Sequence, residues 1–173
     1  DKLSKRMQTY VEGKGLEILL SAFEKLLKVK KDIKLIIIGG PLTDIDKIYF
    51  KKLKNKFSKL FMTKIVRITG LVKKVSFYVN RSRFYVHPSF REGLSRSLLE
   101  AMSSGNIPIA SNIRGSREVI KHNVNGFLYN PYNPEDLYQT LLNVLNMPKS
   151  KINLLKFKAT NTINKKYYLK KYL

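Results

Sequence analysis

The sequence predicts an α/β fold: a Rossmann-like, mostly parallel sheet with helices on both faces. Three features point to it. Short apolar runs rich in β-branched residues alternate with longer segments whose apolar residues recur every three or four positions, the pattern of βα units. The apolar runs stop at glycine or proline, as at Gly39-Gly40-Pro41, Gly70 and Pro88. The 173 residues are 43% apolar and 11% aromatic, enough for one domain with a core of its own, and no repeat or linker divides them.

Leu16, Leu19, Leu20, Phe23, Leu26 and Leu27 lie at helical spacing and place a first helix over residues 15–30, opening at the Gly13-Lys14-Gly15 loop. Residues 34–38 form a buried strand, 44–59 a lysine-studded helix, 64–69 a strand ending at Gly70, and 75–80 a short helix. A strand over 84–87 is stopped by Pro88; a helix over 95–104 closes on Gly105. A strand over 107–111, a short helix over 116–122 and a strand over 126–129 follow. The helix over 134–145 has Asn133 as its N-cap and Pro134 in its first turn. Residues 151–173 read as a basic, aromatic helical tail, either a plain surface helix or one that packs on a neighbour or a membrane surface.

These elements give about five or six parallel strands in a domain over residues 1–150, with the tail over 151–173. In such sheets ligands bind beyond the carboxyl ends of the strands. Here those are the loops at residues 39–41, 70–72, 88–95 and 111–115.

The chain has no cysteine and two histidines, so it offers neither a disulfide framework nor a Cys-ligated metal, and a reducing compartment is expected. Apolar runs of four residues or fewer are far too short to span a bilayer, and no signal-peptide pattern is visible, so the expected location is cytoplasmic. A net charge of +22 predicts attraction to phosphates of nucleotides, nucleic acids or anionic lipids, including peripheral contact with the inner face of a membrane. Much of that charge reads as solvated lysine. Six of the eight arginines, however, fall within residues 81–117, which suggests an anion site near Glu92.

The backbone N–H groups of Gly93, Leu94 and Ser95 lie where a loop enters a helix, and helix N-termini favour anions. Glu92 beside such a seat suits sugar hydroxyls, or alternatively pairs with Arg91 or Arg96. Glu100, among Leu98, Leu99, Ala101 and Met102, predicts a buried helix whose carboxylate needs donors: a pair of ribose hydroxyls or a nearby arginine.

Residues 87–137 (HPSFREGLSRSLLEAMSSGNIPIASNIRGSREVIKHNVNGFLYNPYNPEDL) closely resemble the C-terminal signature of the family 4 retaining glycosyltransferases. Two glutamates eight apart, an EAM-x-x-G segment, G-x-x-E-V-I and N-G-F-L occur in that family's order. Upstream, Lys14-Gly15 running into Leu19-Leu20-Ser21-Ala22-Phe23, and the strand from Lys34 to Gly39, resemble two more of its motifs; the likeness covers roughly residues 5–147. The Arg91-Glu92-Gly93 variant is most similar to bacterial members that build capsule, lipopolysaccharide or other surface glycans.

The resemblance implies the C-terminal half of a GT-B fold, binding a UDP- or GDP-sugar. A missing N-terminal domain would complete transfer, with retention, to a glycan or lipid-linked acceptor. It implies that Glu92 holds the transferred sugar, that the amides of Gly93, Leu94 and Ser95 hold the diphosphate or sugar, and that Glu100 binds the ribose. On the same resemblance Lys14 would neutralise the diphosphate, with Arg6 as the candidate second cation, although Arg6 stands eight residues before Lys14 where the family has about five. The resemblance likewise implies that backbone atoms at Val72 read the base and that Gly39 belongs to the second-strand turn, here one residue tighter than the family's. No metal or other cofactor is expected, because these cations take its place. Two rival readings remain: a non-catalytic nucleotide or nucleotide-sugar binding module, and a basic nucleic-acid-binding domain. No RRM, KH or helix-turn-helix signature supports the latter, so no nucleic-acid partner is expected.

Overall fold

A computed structural model describes residues 14–167. Helix α1 (Leu16–Leu26) buries Leu16, Leu19, Leu20, Phe23 and Leu26, the stripe that the helical spacing predicts. Strand β1 (Leu35–Ile37) leads to α2 (Asp44–Lys56), which starts in a capping box: Thr43 accepts from Asp46 N–H at 3.1 Å, and Asp46 accepts from Thr43 N–H at 2.9 Å. The single helix expected over residues 44–59 breaks at Phe57 (φ −110°, ψ 34°), and a short α3 (Ser58–Met62) follows. Phe50, Leu53, Phe57 and Leu60 are all buried, so the break keeps one apolar stripe on the core across two helices.

Strand β2 (Val66–Ile68) and α4 (Val75–Val79) lead to β3 (Phe84–His87), α5 (Arg96–Ser103) and β4 (Ile107–Ser111). Then come α6 (Arg114–Val119), β5 (Phe127–Tyr129), α7 (Pro134–Leu145) and α8 (Lys149–Lys166). The α6 helix starts two residues earlier than its sequence reading. Helix α7 has the expected cap, with Asn133 Oδ1 accepting from Glu135 and Asp136 N–H at 2.9 and 3.3 Å.

All five strands among the described residues pair in parallel, in two ladders, β1–β2 and β3–β4–β5. Helices α1 and α7 pack together on one face, over a core that includes Ile107, Ile109, Phe127 and Leu137. Helices α5 and α8 cover the other, where Leu98, Met102, Ala159 and Ile163 meet. Helix α8, the described part of the basic tail, is therefore docked on its own domain: Ile152, Leu155, Ala159 and Ile163 are buried, and Thr160 Oγ1 donates to Met102 O at 3.2 Å. Asn106 joins the layers below the site, its buried Nδ2 donating to Val79 O at 3.0 Å and Ser82 O at 2.5 Å.

Candidate functional site

The site forms where the start of α1 meets the carboxyl end of β3. Gly15 has φ 64°, and a Cβ there would lie 2.0 Å from the carbonyl oxygen of Pro88, so only glycine lets the two segments close. That approach delivers Lys14 to the loop after β3, where its Nζ donates to Glu92 Oε1 at 3.2 Å. The first turn of α6 closes the other side: a Cβ on Gly115 would lie 2.0 Å from Gly93 O and 2.7 Å from Glu92 O.

Glu92 is held at both oxygens. His87, 5% exposed at the end of β3, places Nε2 at 2.5 Å from Glu92 Oε2, and Ser111 Oγ donates to the His87 carbonyl at 3.1 Å. Burial pushes the Glu92 carboxyl up, but the hydrogen bond and charge of His87 and then Lys14 outweigh it and hold the group at about 2, so Glu92 is anionic at neutral pH. The sequence places His87 at the end of a strand over 84–87 but does not predict its contact with Glu92. A histidine five residues before Glu92, at the strand end from which the loop departs, was the available signal.

The half-buried Tyr85 phenol on β3 is raised to about 12 by desolvation and by the charges of Glu92 and Glu100, against a hydrogen bond with Ser97. Both glutamates therefore act on one side chain of β3. Glu100 is half-buried, not enclosed as its apolar neighbours predict. Residues one and two positions away point in other directions on a helix. Its true face-mates, three and four away, are Arg96, Ser97, Ser103 and Ser104, a polar stripe. Leu98, Leu99, Ala101 and Met102 are buried on the opposite side.

Helix α5 opens without a side-chain cap, since Ser95 Oγ pairs with Ser97 Oγ at 3.0 Å. The first-turn amides thus have no intrahelical acceptor and point, with the positive end of the helix dipole, toward the Gly93–Leu94 turn. Gly93 faces open space, Leu94 is 43% exposed and Ser95 is buried. The arginine run does not supply the cation at Glu92. Arg81 lies over Phe77, Arg83 over Phe84, Arg114 near Glu118 and Arg117 on Asn112, while Arg91 and Arg96 are exposed. Gly39 and Val72 sit on the loops after β1 and β2. Gly39 N–H donates to Thr69 Oγ1 at 3.0 Å and Gly39 bridges Gly70, while Val72 is half-buried. Arg6 lies outside the described residues.

Comparison with known proteins bears on this arrangement. An uncharacterized glycosyltransferase of Methanocaldococcus jannaschii is 30% identical over 135 residues, covering 76% of this chain and 33% of its own length. This chain spans 17–37% of the length of the curated relatives compared with it. Among solved structures, the C-terminal domain of the glycosyl transferase group 1 family protein LpcC from Francisella tularensis superposes with a TM-score of 0.80 at 23% identity, over 90% of this chain and 80% of that one. HepE of Anabaena, solved with UDP, gives 0.79 at 24% identity, over 90% of this chain and 42% of that one. Both likenesses show a shared fold. The family described as Glycosyl transferases group 1 matches residues 6–159, nearly the whole chain, and to that family this chain belongs.

Proposed function

We propose that this chain is the donor-binding domain of a retaining glycosyltransferase that takes a nucleoside diphosphate sugar, UDP- or GDP-linked, and works with an N-terminal acceptor domain outside the sequence. The observation that carries the reading is the carboxylate of Glu92, held by Lys14 and His87 beside the uncapped N-terminus of α5. One place thus offers a cation and free amides for phosphate and a fixed carboxylate for hydroxyls. HepE, of the same fold, has been solved with UDP and with UDP-glucose, which supports a nucleotide-sugar ligand.

In the reaction the bond from the anomeric carbon to the β-phosphate oxygen breaks. The nucleoside diphosphate leaves with the electron pair, and an acceptor hydroxyl forms the new glycosidic bond while losing its proton. Negative charge grows on the leaving oxygen, so groups aimed there accelerate the step. Lys14 and the α5 amides serve the diphosphate, with Arg6 as second cation; Glu92 orients the sugar hydroxyls; Glu100 takes the ribose; Val72 and Gly39 lie on the base side. These cations stand in for a metal, so EDTA leaves donor binding unchanged. A surface glycan in a bacterial cytoplasm, assembled at the inner membrane face, is the product class that the Arg91-Glu92-Gly93 variant suits.

Calorimetric titration with UDP, GDP, UDP-glucose and a duplex oligonucleotide tests the reading. Nucleotide binding that weakens in Lys14→Ala and Glu100→Ala is expected. Duplex binding without response to any nucleotide would overturn it, and nucleotide binding indifferent to both substitutions would overturn the site assignment. A non-catalytic module is separated from an enzyme by sugar transfer from the longer protein.

A further inference from the structure

Helix α8 carries two apolar stripes, and the packing of the domain uses one of them. Ile152, Leu155, Ala159 and Ile163 are buried on the domain. Leu154 and Phe157, three apart, project from the opposite side of the helix and are 50% and 67% exposed. Lys151, Lys158 and Lys165, seven apart and all exposed, run along one flank of that pair, and Lys149 and Lys166 are exposed at the two ends. A single exposed leucine needs no account, but here two large apolar side chains adjoin within a basic frame.

The charge of this helix is one-sided. Its 18 residues include six lysines and no acidic residue, and residues 137–173 contain eight lysines and no aspartate or glutamate. A solvated helix face is usually laced with opposite charges four apart, and no such pair can form within α8. Lys165 and Lys166 suit the C-terminal end of the helix dipole. Lys149 and Lys151, however, stand in an uncapped first turn without an acidic residue, where positive charge is unfavourable. None of these lysines has an ion pair among the described residues. On α2, the other lysine-rich helix with exposed apolar side chains, Lys47 lies on Asp44 and Lys56 on Glu17.

We propose that the outward face of α8 is a docking surface for an anionic lipid bilayer. Leu154 and Phe157 enter the boundary between headgroups and acyl chains, and the flanking lysines meet the lipid phosphates. Charge complementarity commits the face to that occupant, since apolar side chains framed by lysines bind at the surface of anionic lipid. No helix of the described residues is long and apolar enough to cross a bilayer, so the contact is peripheral. Docking there leaves the donor site open. Helix α5 starts at the site, and α8 meets it at Met102, seven residues on from Ser95 and about 10 Å along the helix. Only the choice of the cytoplasmic leaflet rests on the proposed function; the lipid contact itself needs no nucleotide.

The chain has no tryptophan, so Phe157→Trp places a single indole on this face and Ile48→Trp places one on α2. Both positions are exposed, at 67% and 59%, and neither substitution disturbs the core. With vesicles of phosphatidylcholine and phosphatidylglycerol in equal parts, the emission of Phe157→Trp should shift to the blue and become shielded from a soluble quencher, while that of Ile48→Trp should not. Vesicles of phosphatidylcholine alone should leave both unchanged. In cosedimentation with the mixed vesicles, Lys151→Gln with Lys158→Gln should weaken binding on the order of 10-fold, against less than about 2-fold for Lys51→Gln with Lys52→Gln. Vesicle binding without a shift at position 157, equal losses for the two lysine pairs, or no vesicle binding would each overturn the proposal. A shift that grows with protein concentration in the absence of lipid would assign the face to a second copy, and one produced by duplex DNA but not by vesicles would assign it to nucleic acid; either also overturns it. No arm contains nucleotide, so UDP titration judges the donor-site reading separately.

Discussion

Lys14 Nζ stands 3.2 Å from Glu92 Oε1 across 78 residues of sequence, and His87 Nε2 occupies the other oxygen of the same carboxylate. The lysine proposed to meet a diphosphate is thus already paired, and the histidine would keep the carboxylate in place were the lysine drawn off. On the proposed function, phosphate and sugar duties would be divided between two groups that hold each other in position.

Lys14→Ala should weaken UDP binding by about 10- to 100-fold, the range of a lost charge-assisted hydrogen bond of roughly 1.5–3 kcal/mol. Glu92→Gln should behave differently. It frees Lys14, so UDP binds as well or better, while any advantage of UDP-glucose over UDP disappears. Parallel calorimetric titrations of the two variants check both outcomes.

The pH dependence of stability has a definite sign. The Glu92 carboxyl ordinarily titrates near 4.5 and is held at about 2 in the fold. A depressed carboxyl contributes stability that is fully present above its unfolded value and is lost as the pH falls from about 4.5 towards about 2. The contribution is on the order of 3 kcal/mol at neutral pH by the linkage of one pKa unit to about 1.4 kcal/mol. Urea denaturation should find the parent chain more stable than Glu92→Gln at pH 7, with the gap closing through that acid window.

Two glycines should differ sharply. Gly115→Ala drives a Cβ into the backbone carbonyls of Gly93 and Glu92, which cannot rotate away, so it should cost about 1–3 kcal/mol of stability and displace the Glu92 loop. Gly93→Ala meets nothing within 4 Å and should leave stability within about 0.5 kcal/mol of the parent. Thermal melts, followed by UDP titration of each variant, separate them.

Glu100→Ala should lower affinity for UDP by about 10-fold or more while leaving pyrophosphate binding unchanged, since a ribose contact is worth roughly one charged hydrogen bond. Equal losses for both ligands would place Glu100 at the phosphates instead.

Much of the fold is legible in the sequence because its signals are local. The leucine spacing of α1, the Asn133 and Pro134 start of α7, and the proline after β3 each act within one turn of their own position. Phe57 is an exception: its break in the second helix serves burial against distant residues, which helical period alone does not register. At the site, motif order pointed to Lys14 and Glu92, but their contact comes from the approach of Gly15 to Pro88, and the third member, His87, from the loop after β3 that brings Glu92 back to the strand's end. Glu100 shows the limit in the other direction. Reading its sequence neighbours made it look enclosed, whereas a helix sets its surroundings by residues three and four away, and these are polar.

By itself, then, the sequence determined the α/β class, the order of elements and the loops that could carry a ligand, because periodicity and turn chemistry are properties of a few adjacent residues. Only the tertiary structure decided which charges meet, that four of the six clustered arginines lie on local partners while Arg91 and Arg96 are exposed, and that α8 docks on α5. Those outcomes depend on distances between residues far apart in the chain, and they are set by packing.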